Sequence, residues 1–195
     1  MRWIGSASSW KLALAGLTLA CTLGIAVPAA AQTGGTPTAG STEPTPTPAP
    51  TGPPGRATLL PDGTAVAPAN APPAVQAAIY AGNEIRTRPY RRGGGHRTFG
   101  DSGYDCSGAV SYLLHAAGFL TSPMTSGGLA TSWGIPGKGW WITVFANPSH
   151  TYMKVAGLRF DTSSNGEKLN QGSGPRWRAT KRKPRGYSIK HFPAY

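Results

Sequence analysis

Residues 103–118 read GYDCSGAVSYLLHAAG, and this stretch decides the fold class. After the cysteine, apolar side chains recur at helical intervals and form one face: Ala109, Val110, Leu113, Leu114 and Ala117. Gly118 is a typical residue at the end of a helix. The pattern therefore predicts a short buried helix that begins at Cys106, and we expect the carboxylate of Asp105 to cap it.

The segments on either side of this helix complete the predicted architecture. Upstream, residues 71–85 read APPAVQAAIYAGNEI, with proline in the first turn and apolar residues at helical spacing, which predicts a second helix. Downstream, WWITVFA (140–146) and HTYMKVAGLRFDTS (150–163) alternate and are rich in β-branched and aromatic residues, and Ala156-Gly157 is predicted to be a hairpin turn. Two helices followed by an antiparallel sheet predict an α+β fold.

The first part of the chain has the layout of a protein that is exported. Two basic residues precede an uncharged apolar run (12–27), which is followed by Pro28 and the small-residue triplet 29–31. We interpret residues 1–31 as a signal peptide, because the apolar run is shorter than the ~20 residues that span a bilayer as an uncleaved anchor. We therefore expect secretion and no stable membrane span after cleavage. Residues 32–56 are rich in threonine and proline and predict a disordered linker, which leaves residues 57–195 as one domain.

The chain is strongly basic, with a formal net charge of +12. Seven of its positive charges lie between Arg176 and Lys190, and no acidic residue lies among them. Such a segment is attracted to polyanions. For a secreted protein we expect the anionic polymers of a cell wall to be the partner, and we expect no nucleic-acid partner. The alternative is a solvated basic edge that only aids solubility.

Cys106 is the only cysteine outside the predicted signal peptide, since Cys21 lies in the apolar run. Exported proteins use cysteine mostly in disulfides, so a lone thiol is either a small packing residue or a reactive group. The first turn of a helix presents backbone N–H groups and partial positive charge, which favour a thiolate and can stabilise an oxyanion. A thiolate nucleophile also needs a base, and His150 begins the second β-run.

Three other histidines compete for that role. His96 follows three glycines in a loop, where it could contact a substrate or act as the base. We expect His115 to be structural, because it lies inside the predicted nucleophile helix, and His191 belongs to the basic segment. The sequence has no HExxH motif and no paired cysteines, so we predict no metal site and no cofactor.

Three segments, PYRRGGGH (89–96), GYDCSGAVSYLLHAAGFL (103–120) and ITVFANPSHTYMKVAGLRFDTS (142–163), together resemble the NlpC-type cell-wall cysteine peptidases. That family has a compact papain-like fold and cuts the peptides of peptidoglycan. The resemblance covers most of residues 79–164. The chain departs from the family where PGKGWW (136–141) replaces the common Pro-Gly-Asp-Leu and where His-Thr-Tyr (150–152) replaces His-Val-Gly.

The resemblance implies a role for three residues in catalysis. Cys106 would be the nucleophile, His150 the base, and Asp161 the group that orients the histidine, a position at which the family more often has histidine, asparagine or glutamine. If the predicted hairpin turn is correct, strand alternation sets His150 opposite Ser163, with Asp161 diagonal to it on the same face. The alternatives are that Ser163, or no residue, orients the histidine.

The resemblance also implies a substrate and its binding residues. Tyr90 would border the site and support the oxyanion, while Asp105 and Ser107 would hold polar ends of the stem peptide. We therefore expect a monomeric secreted cysteine endopeptidase that cleaves peptidoglycan stem peptides between D-glutamate and the diamino acid. The alternatives are a catalytically inactive wall-binding module, in which Cys106 only packs, and an amidase or acyltransferase on the same fold.

Overall fold

The structure, a computed structural model, describes residues 54–163 and 174–195. The chain separates into two units, Met1–Thr45 and Pro46–Tyr195, and the described residues all lie in the second unit. The predicted signal peptide (1–31) and most of the predicted linker (32–56) fall outside the described residues. No helix within the described ranges has the length and apolar character needed to cross a bilayer.

The described residues form three helices and eight strands. The helices are α1 (Pro73–Ile85), α2 (Cys106–Ala116) and α3 (Ser126–Thr131). The strands are β1 (Thr58–Leu59), β2 (Ala65–Val66), β3 (Ile135–Pro136), β4 (Ile142–Ala146), β5 (Thr151–Val155), β6 (Leu158–Asp161), β7 (Arg176–Arg178) and β8 (Ser188–His191).

The strands form two antiparallel sheets, which confirms the predicted α+β class. One sheet pairs β1 with β2, and the other contains six strands in the order β3-β8-β4-β5-β6-β7. The two central strands β4 and β5 are buried along almost their whole length. The larger sheet is therefore the platform on which the helices pack.

Helix α2 begins at Cys106, as the sequence predicts, and packs between α1 and the sheet. Leu113 and Leu114 of α2 are fully buried, as are Val75 and Ile79 of α1. Helix α1 contacts α2, and α2 contacts β5. The buried face of α2 thus rests on one of the two central strands of the sheet.

The hairpin between β5 and β6 has the predicted two-residue turn. Ala156 and Gly157 have φ values of 45° and 87°, and Val155 pairs with Leu158 across the turn. Two-residue hairpins of this kind need positive φ at both central positions, a conformation that costs an alanine about 1–2 kcal/mol. The amide of Ala57 donates to the carbonyl of Ala156 over 2.9 Å, which helps to hold the turn. The turn fixes the register that relates β5 to β6.

The basic segment near the end of the chain supplies two strands that the sequence analysis did not predict. In β7, Trp177 is 5% exposed, packs on Phe160 with ring centroids 4.7 Å apart, and donates from Nε1 to Asn83 Oδ1 over 3.0 Å. Its ring lies against Gly82 of α1, where a Cβ atom would collide with the indole. Arg178 is also buried. The segment is therefore part of the folded core as well as a source of surface charge.

Candidate active site

Cys106 is the first residue of α2, and its environment is set by the cap on that helix. Asp105 adopts an extended conformation at the N-cap, and its Oδ1 accepts a hydrogen bond from the amide of Gly108 over 2.8 Å. This is the capping that the sequence predicts. Cys106 is 9% exposed. Its thiol therefore lies at the positive end of the helix, beside first-turn amides that have no partner within the helix.

The carboxylate of Asp105 also ties the glycine-rich loop to α2. Its Oδ2 accepts from the amide of Gly93 over 3.0 Å, and Oδ1 lies 3.0 Å from His96 Nε2 and 3.1 Å from Ser107 Oγ. Burial alone would raise the pKa of Asp105, but the hydrogen bonds from Gly108, His96 and Gly93 lower it. The carboxylate thus stays ionised while it holds the loop against the start of the helix.

His96 belongs to this cap through its contact with Asp105. Its Nε2 also lies 3.1 Å from Ser107 Oγ. The loop approaches α2 closely at Gly108, where a Cβ atom would collide with the backbone of Gly94. The roles in substrate binding that the resemblance implies for Asp105 and Ser107 stay predictions.

His150 lies directly before β5, and its ring connects Cys106 to Asp161. The backbone is fixed by Asn147, whose Oδ1 accepts from the amide of His150 over 2.9 Å. His150 Nε2 lies 3.0 Å from Asp161 Oδ1. Burial would lower the pKa of His150, but hydrogen bonds with Asp161 and Cys106, and the negative charges of both groups, raise the pKa to about 9. The geometry therefore favours a charged imidazolium beside the sulfur.

Asp161 is the last residue of β6, and its side chain is fully buried. Besides the contact with His150, its Oδ1 accepts from the amide of Ser163 over 2.9 Å and from Ser163 Oγ over 3.0 Å. Burial would raise the pKa of Asp161, but these hydrogen bonds and the positive charges of His150 and Arg182 lower it. Ser163 Oγ is 3.5 Å from His150 Nε2, so the carboxylate is the nearer partner of the ring.

Tyr90 lies in the segment that precedes the glycine-rich loop. It forms an isolated parallel bridge with Tyr104 and is 45% exposed. Burial raises the pKa of Tyr90, and the negative charges of Cys106 and Asp105 raise it further. The predicted part of Tyr90 in oxyanion binding stays a prediction.

Among the residues of this site that the sequence analysis did not identify is Arg182. It lies in the loop between β7 and β8, and its Nη1 lies 3.1 Å from Asp161 Oδ2. In the sequence it is the middle residue of Lys-Arg-Lys at 181–183, and no pattern distinguishes it from its two neighbours. Only the fold distinguishes Arg182, because it turns this side chain inward and leaves Lys181 and Lys183 exposed.

The remaining histidines lie outside the site. His115 Nδ1 is 2.9 Å from the carbonyl of Leu120, and its ring stacks on Phe99 with centroids 3.8 Å apart. His191 Nδ1 is 3.2 Å from the carbonyl of Gly137. In the part of the chain that the structure describes, no three histidine, cysteine, aspartate or glutamate side chains are grouped as metal ligands.

Comparison with known proteins gives only weak likeness, which carries no argument about this chain. The sequence matches no protein-family model, and no curated protein is significantly similar to it. Among solved structures, the hypothetical invasion protein Rv1477 of Mycobacterium tuberculosis is similar, with 20% identity and a TM-score of 0.40 over 72% of this chain and 71% of that one. The function proposed next therefore rests on the geometry of the site.

Proposed function

We propose that this protein is a secreted cell-wall hydrolase, a cysteine endopeptidase with a papain-like fold of the NlpC type. The observation that carries the proposal is the line of contacts from Cys106 through His150 to the buried Asp161. A nucleophile, a base and a group that orients the base are the three parts of a thiol peptidase site. A cysteine that only packs would not need a histidine nearby whose ring is held by a buried carboxylate.

The reaction follows from the positions of these groups. The Cys106 thiolate attacks the carbonyl carbon of an amide, and the negative charge that forms on the oxygen is stabilised by first-turn amides of α2 and by Tyr90. His150 gives its proton to the nitrogen of the leaving amine, and the C–N bond breaks. Water, deprotonated by His150, then attacks the thioester carbon and releases a carboxylic acid and the free thiol.

The proposed substrate is the stem peptide of peptidoglycan, cut between D-glutamate and the diamino acid. Stem peptides carry free carboxylates, and wall polymers carry phosphates, so a site with cations nearby suits both. Three exposed cations flank Arg182 on the β7–β8 loop: Lys181, Lys183 and Arg185. We propose that they face anionic groups of the wall, that Asp105 and Ser107 bind polar ends of the peptide, and that the protein acts outside the cell as a monomer.

Mass spectrometry of purified peptidoglycan fragments tests this function. The domain 57–195 is incubated with the fragments beside its Cys106→Ala variant, which keeps the fold but lacks the sulfur. We expect new stem-peptide products that carry one added water at the cut amide, and no such products with the variant. Products that carry an added amine would identify transfer instead of hydrolysis. Binding to the fragments without any new product would identify a wall-binding module.

A further inference from the structure

Arg182 reaches the candidate active site from a loop whose other basic residues face solvent. Its side chain is 17% exposed, whereas Lys181 and Lys183 on either side are exposed. The mechanism described above uses Cys106, His150 and Asp161 and assigns Arg182 no part. The fold turns the guanidinium of Arg182 inward against Asp161, the buried partner of His150. This contact points to a role for Arg182 at the site.

The guanidinium is held on several sides. Nη1 contacts Asp161 Oδ2 at 3.1 Å and donates to Ser163 Oγ, which in turn donates to Asp161 Oδ1 over 3.0 Å. Nη2 donates to the hydroxyl of Tyr187 over 2.8 Å. The guanidinium carbon is 5.3 Å from the ring centroid of Tyr152 and 5.5 Å from that of Tyr187. Arginine presents a planar fork that fits such a set of acceptors and aromatic faces, which lysine does not.

The contacts give Asp161 two cationic partners in addition to His150. Arg182 faces Oδ2 from the β7–β8 loop, and Arg159 of β6 places Nε 3.4 Å from the same oxygen. His150 faces Oδ1 of Asp161. Its other neighbours are Cys106 of α2, Ser163 after β6 and Tyr187, whose ring centroid is 6.4 Å from that of His150. Arg182 Nη1 also lies 3.5 Å from His150 Nε2. A positive charge so close to the ring opposes its protonation, while Asp161 favours it.

We propose that Arg182 is a positioning residue of this site. It fixes the orientation of the buried Asp161 carboxylate and partly neutralises the negative charge that this carboxylate presents to His150. The meaning of this role for catalysis rests on the proposed function, although the contacts themselves involve no substrate. Without Arg182, the carboxylate loses one anchor, and its charge acts more fully on the imidazolium. His150 then holds its proton more tightly and is aimed less well at the sulfur.

The test is the titration of His150 in the protein without substrate, followed by NMR of carbon-13-labelled histidine and assigned with His150→Gln. In Arg182→Met, which keeps an unbranched apolar stem and removes the charged guanidinium, we expect the midpoint to rise by about one pH unit. Arg182→Lys keeps the charge and should give a smaller rise. Lys183→Met removes an equal charge from the exposed neighbour, and its midpoint should match that of the wild type.

Three results overturn the proposal: an unchanged or lower midpoint in folded Arg182→Met, an equal rise in Lys183→Met, or a rise in Arg182→Lys as large as that in Arg182→Met. If Arg182→Met does not fold, Tyr187→Phe is measured instead, because it removes one hydrogen bond to the guanidinium. The proposal then requires that the titration midpoint of His150 rises in Tyr187→Phe. The titration needs no turnover, so it stands even if the wild type cleaves nothing. If the wild type does cleave, Arg182→Met should lower kcat about tenfold with little change in KM.

Discussion

Asp161 has a fully buried side chain, and its two oxygens face different cations: His150 at Oδ1, and Arg159 and Arg182 at Oδ2. An ionised carboxylate without such partners would be expensive to bury. The cations therefore keep Asp161 charged, and Asp161 in turn helps to keep His150 protonated. The charge state of the base is thus a property of this small network and not of the imidazole alone.

The first prediction concerns the pH dependence of cleavage. In the proposed mechanism His150 must carry a proton to release the amine, and its pKa is raised to about 9. Activity that is present at neutral pH should therefore be lost as the pH rises through about 9. Asp161→Asn keeps an oxygen acceptor but removes the charge. Its alkaline loss of kcat/KM should move down toward the ordinary histidine value of about 6.5. The measurement is the pH profile of kcat/KM on a stem peptide, and an unmoved alkaline limb in the variant would contradict it.

The second prediction separates Asp161 from Ser163. Asp161→Ala removes the 3.0 Å partner of His150 Nε2 and should lower kcat by tens to thousands of fold, the order seen when the third member of a triad is lost. Ser163→Ala removes a hydroxyl that supports the carboxylate at 3.0 Å, and a few-fold loss is expected. Both variants must first show a native circular dichroism spectrum. Near wild-type turnover in folded Asp161→Ala would leave only a Cys106/His150 dyad.

The start of α2 is the element on which the position of Cys106, the proposed nucleophile, depends. Asp105 caps the helix, binds the Gly93 amide and contacts His96, so one carboxylate joins the loop before the helix to its first turn. The loop and the helix meet at Gly108, where only glycine leaves room for the backbone of Gly94. The placement of Cys106 is thus built from local contacts that are close together in sequence.

The third prediction tests this cap by stability. Asp105→Ala removes the acceptor of the Gly108 amide, which costs about 1 kcal/mol for a typical cap. It also removes the side-chain acceptor of the Gly93 amide and one of the two partners of His96. We therefore expect a loss of unfolding free energy greater than that of an ordinary cap. Asp105→Asn, which keeps an oxygen for Gly108, should lose less. Urea unfolding followed by tryptophan fluorescence measures both, and equal stabilities of the wild type and Asp105→Ala would contradict the role of the cap.

Across the whole molecule, the features that the sequence could predict are those encoded over short distances. The apolar spacing and the cap predict α2, and the Ala156-Gly157 turn sets the register that brings Asp161 near His150. Arg182 could not be found in this way, because its inward orientation depends on the placement of β7 and β8. One of these strands is an edge of the six-stranded sheet, and the other lies near the opposite edge. These strands are short, and their charged residues hide the alternation that usually predicts a strand. In β7 the arginines are covered by tertiary contacts that a local pattern does not contain.

The last prediction concerns the outward-facing cations of the basic segment. Removing the segment as a whole would delete Trp177 and two strands of the sheet, so the wall-binding proposal is tested with Lys181, Lys183 and Arg185 replaced together by glutamine, which leaves Arg182 in place. The three side chains are exposed, so their attraction to anionic polymers acts through solvent and reaches only ~10 Å near 0.1 M salt. We expect the variant to sediment with purified cell walls less than the wild type at low salt, and added salt should bring the wild type down to the same level. A control that exchanges lysine and arginine at the three positions keeps the charge and should sediment like the wild type. Equal sedimentation of the glutamine variant and the wild type at low salt would show that these cations do not bind the wall. The basic segment would then serve the fold and, through Arg182, the proposed active site.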